Sequence, residues 1–110
     1  MIFISHRGNL DGSNPLEENH PEYIKKAIIR GYDVEIDIWY LDCELWLGHD
    51  KAQYKVSPSW ISFYSPSLWI HCKNMDALSY FNTSPYDYNY FSHDIDHGVL
   101  TSFKYIWSTN

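Results

Sequence analysis

The sequence predicts an α/β fold, and three stretches carry that expectation. Ile2-Phe3-Ile4 is a short apolar run that ends in the polar cluster Ser5-His6-Arg7-Gly8, the pattern of a buried strand delivering functional groups at its C-terminal end. Pro21-Glu22 then opens a segment with apolar residues at helical spacing. Asp33 to Tyr40 follows with strand-like alternation, and strand, helix and strand in this order make a βαβ unit with a parallel pair and a right-handed crossover.

Each element has a local cause. Residues 9 to 20 are rich in Asn, Asp, Gly, Ser and Pro and form a loop. Proline in the first helical turn, with an acid near the positive end of the dipole, is the favoured helix opening. Ile24, Ala27 and Ile28 form the apolar stripe, Lys25, Lys26 and Arg30 lie around the other side, and Gly31 is the stop signal. In the strand that follows, Val34, Ile36 and Ile38 share one face while Glu35, Asp37 and Trp39 share the other. The two carboxylates are then roughly 7 Å apart along the strand, a spacing suited to gripping one hard cation. An edge strand with a wet acidic side would give the same alternation.

Leu41-Asp42-Cys43-Glu44 can turn the chain back into Leu45-Trp46-Leu47, a hairpin partner ending at Gly48-His49-Asp50. Residues 51 to 67 lack a clean period and are expected to be a loop at the wall of a pocket. Leu68 to Cys72 is the next strand, with Trp69, His71 and Lys73 on one side and Leu68, Ile70 and Cys72 on the other. Asn74 can cap a short helix through Met75, Leu78 and Phe81. Tyr90 to His93 and Tyr105 to Ser108 are further strand candidates, and the tyrosines at 86, 88 and 90 are expected to pack.

Composition bounds the function. With 110 residues the chain is at most one domain, 1–110, and 45% apolar with 18% aromatic residues suffices for a core. The formal charge is -6, with 14 acids against 8 Lys and Arg and no basic run, so no nucleic-acid partner is expected. No apolar run reaches the ~20 residues of a membrane-spanning helix. The short apolar run at the N-terminus has no basic region ahead of it, which argues against a signal peptide. Two cysteines, Cys43 and Cys72, match no zinc spacing and are expected to be reduced thiols in the cytoplasm.

His6-Arg7-Gly8, Glu18-Asn19, Gly31 followed by Val34-Glu35-Ile36-Asp37, Gly48-His49-Asp50, and a strand carrying Lys73 at its end resemble, in this order, the glycerophosphodiester phosphodiesterases. The resemblance runs from His6 to Lys73. It implies a TIM-barrel fold related to phosphatidylinositol-specific phospholipase C, with a divalent cation at the C-terminal mouth of the barrel. It further implies a hydrolase of lipid metabolism that cleaves a glycerophosphodiester into an alcohol and glycerol phosphate, with a small-molecule phosphodiester as its partner. Glu35 and Asp37 then hold the metal, His6 and His49 are the acid and base pair, and Arg7 and Lys73 neutralise phosphate oxygens. Glu18 and Asn19 support the Arg7 or metal neighbourhood.

The chain departs from the family pattern twice. His71 stands where the family has a third acidic ligand: as a metal ligand it adds Mn²⁺ or Zn²⁺ to Mg²⁺ or Ca²⁺ as candidate ions, and binding phosphate or orienting water are its other roles. A TIM barrel needs about 250 residues, and this chain offers about five main parallel-type strands plus a small hairpin. The expectation is therefore a partial TIM barrel, completed by a longer chain or by a second copy in a homo-oligomer. A small open sheet with helices on one or both faces is the other arrangement. The alternative to an enzyme is a catalytically degraded anion- or metal-binding remnant acting as an assembly subunit. His20 and His97 are expected to be ordinary surface groups, and His93 is not counted in the site.

Overall fold

A computed structural model describes residues 2–92, 98–103 and 105–108. Its centre is a six-stranded sheet built on β2 (Asp33–Leu41). β1 (Ile4–His6) runs parallel to the first half of β2, pairing His6 with Glu35. β3 (Glu44–Leu47) runs antiparallel to the second half, pairing Leu47 with Ile38. β4 (Tyr54–Val56) extends β3 antiparallel. Along its other side β2 takes β5 (Leu68–Cys72) in parallel, and β5 takes β6 (Tyr90–Phe91) in parallel. β7 (Gly98–Leu100) and β8 (Ile106–Ser108) form a separate antiparallel pair.

This corrects the expected partial TIM barrel. Among the described residues the sheet is mixed and open, with three short α-helices, and does not follow the parallel β/α repeat of a barrel. The physical cause lies in the connections. Asp42 and Cys43 both have positive φ, 51° and 62°, and so make a two-residue hairpin turn. A turn that short can return the chain only antiparallel, because a parallel connection needs a crossover of a dozen or more residues. The region 51–67 is also more ordered than expected, containing β4, the helix α2 (Pro58–Tyr64) and a 3₁₀ turn at Ser65–Ser67. Ser57 caps α2 by accepting from Trp60 N–H at 3.1 Å, and Pro58 supplies the preset first turn.

One face of the sheet is apolar and carries the helices. Val34, Ile36 and Ile38 of β2 and Leu68, Ile70 and Cys72 of β5 pack with Ile24 and Ala27 of α1 (Pro21–Ile29), Ile61 of α2, and Ala77 and Phe81 of α3 (Met75–Thr83). Each fully buried Ile or Leu contributes about 1.5–3 kcal/mol by leaving water. In α3 the buried stripe is Ala77 and Phe81, and Met75, expected inside, is exposed. Asn74 caps α3 through Ala77 N–H at 3.0 Å and also exchanges side-chain hydrogen bonds with the backbone of Tyr40, which ties the helix to β2.

The opposite face bears a smaller cluster of Ile4, Trp69 and Phe91 beside the acids of β2. Among the described residues no helix is long and apolar enough to cross a membrane. Cys43 is exposed in the hairpin turn and Cys72 is buried, both as free thiols. Truncation of Ile70, fully buried in the middle of β5, to Ala is expected to cost about 2–5 kcal/mol in urea unfolding. Leu16→Ala, at a residue 89% exposed, is the control and is expected to stay within about 0.5 kcal/mol of wild type.

Candidate active site

The site gathers where β1 ends against the middle of β2 and where the loop after β3 folds back. Beyond His6 the ladder continues for one bond, Arg7 N–H to the Glu35 carbonyl at 2.7 Å. The chain then leaves the sheet through Arg7 and Gly8, both at positive φ (54° and 88°). A side chain at position 8 would press on the Tyr23 ring and the backbone of Ile24, so glycine is required there. The 9–20 loop returns to the same place, with Asn19 N–H donating to the Arg7 carbonyl at 3.0 Å. Asn19 is fully buried and also has positive φ, 65°.

Asp37, with no exposure to solvent, is the hub. Asn19 grips it twice: its Nδ2 donates to Asp37 Oδ2 at 2.9 Å, and its Oδ1 accepts from Asp37 N–H at 3.0 Å. Arg7 Nε lies 3.1 Å and His49 Nδ1 3.4 Å from the same Oδ2. On the other oxygen, His71 Nδ1 is 3.0 Å from Oδ1. The His71 ring stacks on Phe91, with centroids 5.1 Å apart and planes 9° from parallel. Glu35 lies one pleat earlier on the same face, its Oε2 3.7 Å from His71 Nδ1, while its buried Oε1 has no hydrogen-bond partner among the described residues.

These environments push the acids apart. Burial raises the Glu35 carboxyl above its ordinary value, and the repulsion of Asp37 adds to this against the pull of His71. Burial also penalises Asp37, but hydrogen bonds from His71 and Asn19 overcome it and hold that carboxyl well below the usual range. His71 is lifted to about 9, because the two carboxylates outweigh the desolvation that would lower it. Burial, and then the adjacent Arg7 guanidinium, lower His6 against the opposing pull of Asp37 and Glu18. Glu18 loses solvent but accepts from Asn9 Nδ2, Arg7 and Ser13 Oγ at 3.1, 3.2 and 3.1 Å, and its carboxyl is lowered overall.

The structure thus brings Arg7, Glu18, Asn19, Glu35, Asp37, His49 and His71 into one connected cluster. His6 stands at the end of β1 opposite Glu35. Lys73 is half-buried, its N–H extends the ladder to the Ile38 carbonyl at 2.8 Å, and its ammonium makes no ion pair or hydrogen bond among the described residues. His93 and His97 lie outside the described residues. His20 caps α1 through Glu22 N–H at 3.2 Å and meets the Tyr54 ring. Four contributors were not anticipated. Asn9 and Ser13 sit in an aperiodic loop that offers no signal. Phe91 needed the partner strand of β6 to be known. Trp39 could have been found, since alternation already puts it beside Asp37.

One oxygen each from Glu35 and Asp37 and one nitrogen from His71 lie within 4.8 Å of one another. Two carboxylates and an imidazole fit a divalent cation, and the orphaned Glu35 Oε1 is an acceptor already stripped of water. A cavity of about 160 Å³ lined by Glu18, Asn19, His49, Asp50, Lys51 and Gln53 adjoins the cluster. No family model, curated protein or solved structure matches the chain.

Two measurements check this geometry in chelator-treated protein. A raised histidine pKa stabilises the fold below its unfolded value, so the contribution of His71 is complete below 6.5 and is lost as pH rises through about 9. Denaturant midpoints are expected to fall across that window and to flatten in His71→Asn. Asn19→Ala strips Asp37 of both carboxamide bonds and is expected to cost about 1–3 kcal/mol.

Proposed function

We propose that the chain is a metal-dependent phosphodiesterase of the glycerophosphodiester phosphodiesterase type, acting on glycerophosphodiester-like substrates in the cytoplasm. The observation that supports this most is the convergence on Asp37 of Arg7, Asn19, His49 and His71, four side chains from separate segments, next to a buried Glu35 oxygen left without a partner. Structural ion pairs rarely need two buried acids, and here the acids are the residues that the His-Arg-Gly, Glu-x-Asp and His-Asp pattern singles out.

Glu35, Asp37 and His71 hold the cation, either Mg²⁺ or Ca²⁺, or Mn²⁺ or Zn²⁺ in view of the imidazole. When bound, it supplies positive charge against the phosphate oxygens. His6, with its lowered pKa, is neutral near pH 7 and takes the proton from the attacking hydroxyl, either of water or of the substrate's own alcohol. The new P–O bond forms as the P–O bond to the leaving alcohol breaks. His49, between Asp37 and Asp50, carries the proton that the departing alkoxide accepts. Lys73, free of any ion pair among the described residues, and Arg7 neutralise the phosphate oxygens. Where the attacking group is the substrate's own hydroxyl, water opens the cyclic phosphate in a second step.

A second reading has its own observation. His71 already sits between the two acids as a cation, an arrangement that neutralises them without metal. A remnant that binds metal or phosphate as an assembly subunit, without turnover, would look the same. Homo-oligomerisation fits either reading, because among the described residues the edge of β1 away from β2 is unpaired.

Hydrolysis of glycerophosphocholine, followed by release of glycerol phosphate, separates the two. Chelator is expected to abolish turnover, and Glu35→Ala and His6→Ala are each expected to lower kcat about 10²–10⁴-fold. Turnover indifferent to all three changes would falsify the assignment, and Mn²⁺ binding by calorimetry without turnover favours the remnant. Because a metal-bound imidazole must be neutral and His71 titrates at about 9, cation binding near pH 7 is expected to release a proton. Calorimetry in buffers of different ionisation enthalpy reads that proton directly, and its absence would mean that His71 is not a ligand.

A further inference from the structure

The placement of His49 needs a cause. Its side chain is 41% exposed and lies 3.4 Å from the Asp37 carboxylate and 3.6 Å from that of Asp50. Its position is inherited from the backbone of Gly48, and that peptide is held from both sides. Gly48 N–H donates to the Asp37 carbonyl at 3.1 Å, and the Gly48 carbonyl accepts the indole N–H of Trp39 at 2.7 Å. A side chain at position 48 would overlap the Lys51 carbonyl oxygen, and Gln53 N–H closes the loop on the Leu47 carbonyl at 2.8 Å.

We infer that Trp39 is a positioning residue that sets His49 against Asp37, an inference that rests on the acid–base role proposed above for His49. Trp39 lies two residues beyond Asp37 on the same face of β2, half-buried, opposite Trp46 of β3. An indole offers a single donor and no acceptor, and when buried it needs a carbonyl in one place. Here that carbonyl belongs to the peptide just before His49. The same strand therefore carries the carboxylate that His49 faces and the donor that aims the loop at it. Phenylalanine would keep most of the ring packing and lose the tie. A displacement of about 1 Å in a catalytic group can cost about 10²-fold in rate.

The test uses the whole chain with two variants, Trp39→Phe and Trp39 replaced by β-(3-benzothienyl)alanine, which keeps the bicyclic shape without the N–H. Amide hydrogen exchange in metal-free protein is expected to accelerate at least about tenfold over residues 48–53, with β2 and β5 still protected. On glycerophosphocholine, kcat is expected to fall about 10–100-fold with KM within about twofold. In a His49→Ala background the same change is expected to alter kcat by less than about twofold, since the two residues act as one unit. Unchanged exchange at 48–53 in the benzothienyl variant overturns the inference, as does a loss of kcat that is equally large without His49. A wild-type chain without turnover overturns the phosphodiesterase reading alone, and exchange then decides by itself whether Trp39 holds the His49 loop.

Discussion

A carboxylate with no access to water survives as an anion only if its surroundings replace the water. Asp37 is in that position, and the polar half of the structure follows from how it is satisfied. Asn19 donates one neutral hydrogen bond to the carboxylate through Nδ2, and Arg7, His71 and His49 supply positive or ionisable nitrogen. Removing one partner would leave that buried charge less fully compensated, at a cost in stability. The loop bearing Asn19 and the segment bearing His49 thus meet at one carboxylate, which adds to the backbone bonds that tie both to the sheet.

The same strand shows how two similar groups acquire different properties. Glu35 and Asp37 are neighbours on one face of β2, yet only Asp37 receives the carboxamide and the guanidinium. Glu35 is left with one buried oxygen unpaired and a pKa pushed upward, while Asp37 is pushed downward. Divergent pKa values in adjacent acids are a mark of functional sites. His71 lies between them, its Nδ1 3.0 Å from Asp37 and 3.7 Å from Glu35.

Much of this was legible in the sequence because strand alternation is local. The parity of Glu35 and Asp37 against Val34, Ile36 and Ile38 requires no tertiary knowledge, and neither does the parity of His71 with Trp69. The architecture was harder to read. The resemblance to a barrel family suggested a partial barrel of about five parallel-type strands plus a small hairpin; the hairpin at Asp42-Cys43 forms, but β4 then extends it antiparallel and the sheet is mixed and open among the described residues. β4 and α2 were hidden in the 51–67 region because each is short and the capping serine lies among other serines and prolines. The contributions of Asn9 and Ser13 depend on how an irregular loop folds back, which no periodicity encodes.

That hairpin turn has a practical side. Its tip presents the Cys43 sulfur to solvent, while the other thiol, at Cys72, lies under the helices with its pKa pushed up to about 12. Maleimide chemistry at neutral pH therefore has one target in the folded chain. A fluorophore or spin label attached there would sit at the far end of the strand that bears Glu35 and Asp37, and would report on cation loading or self-association with no cysteine needing to be removed.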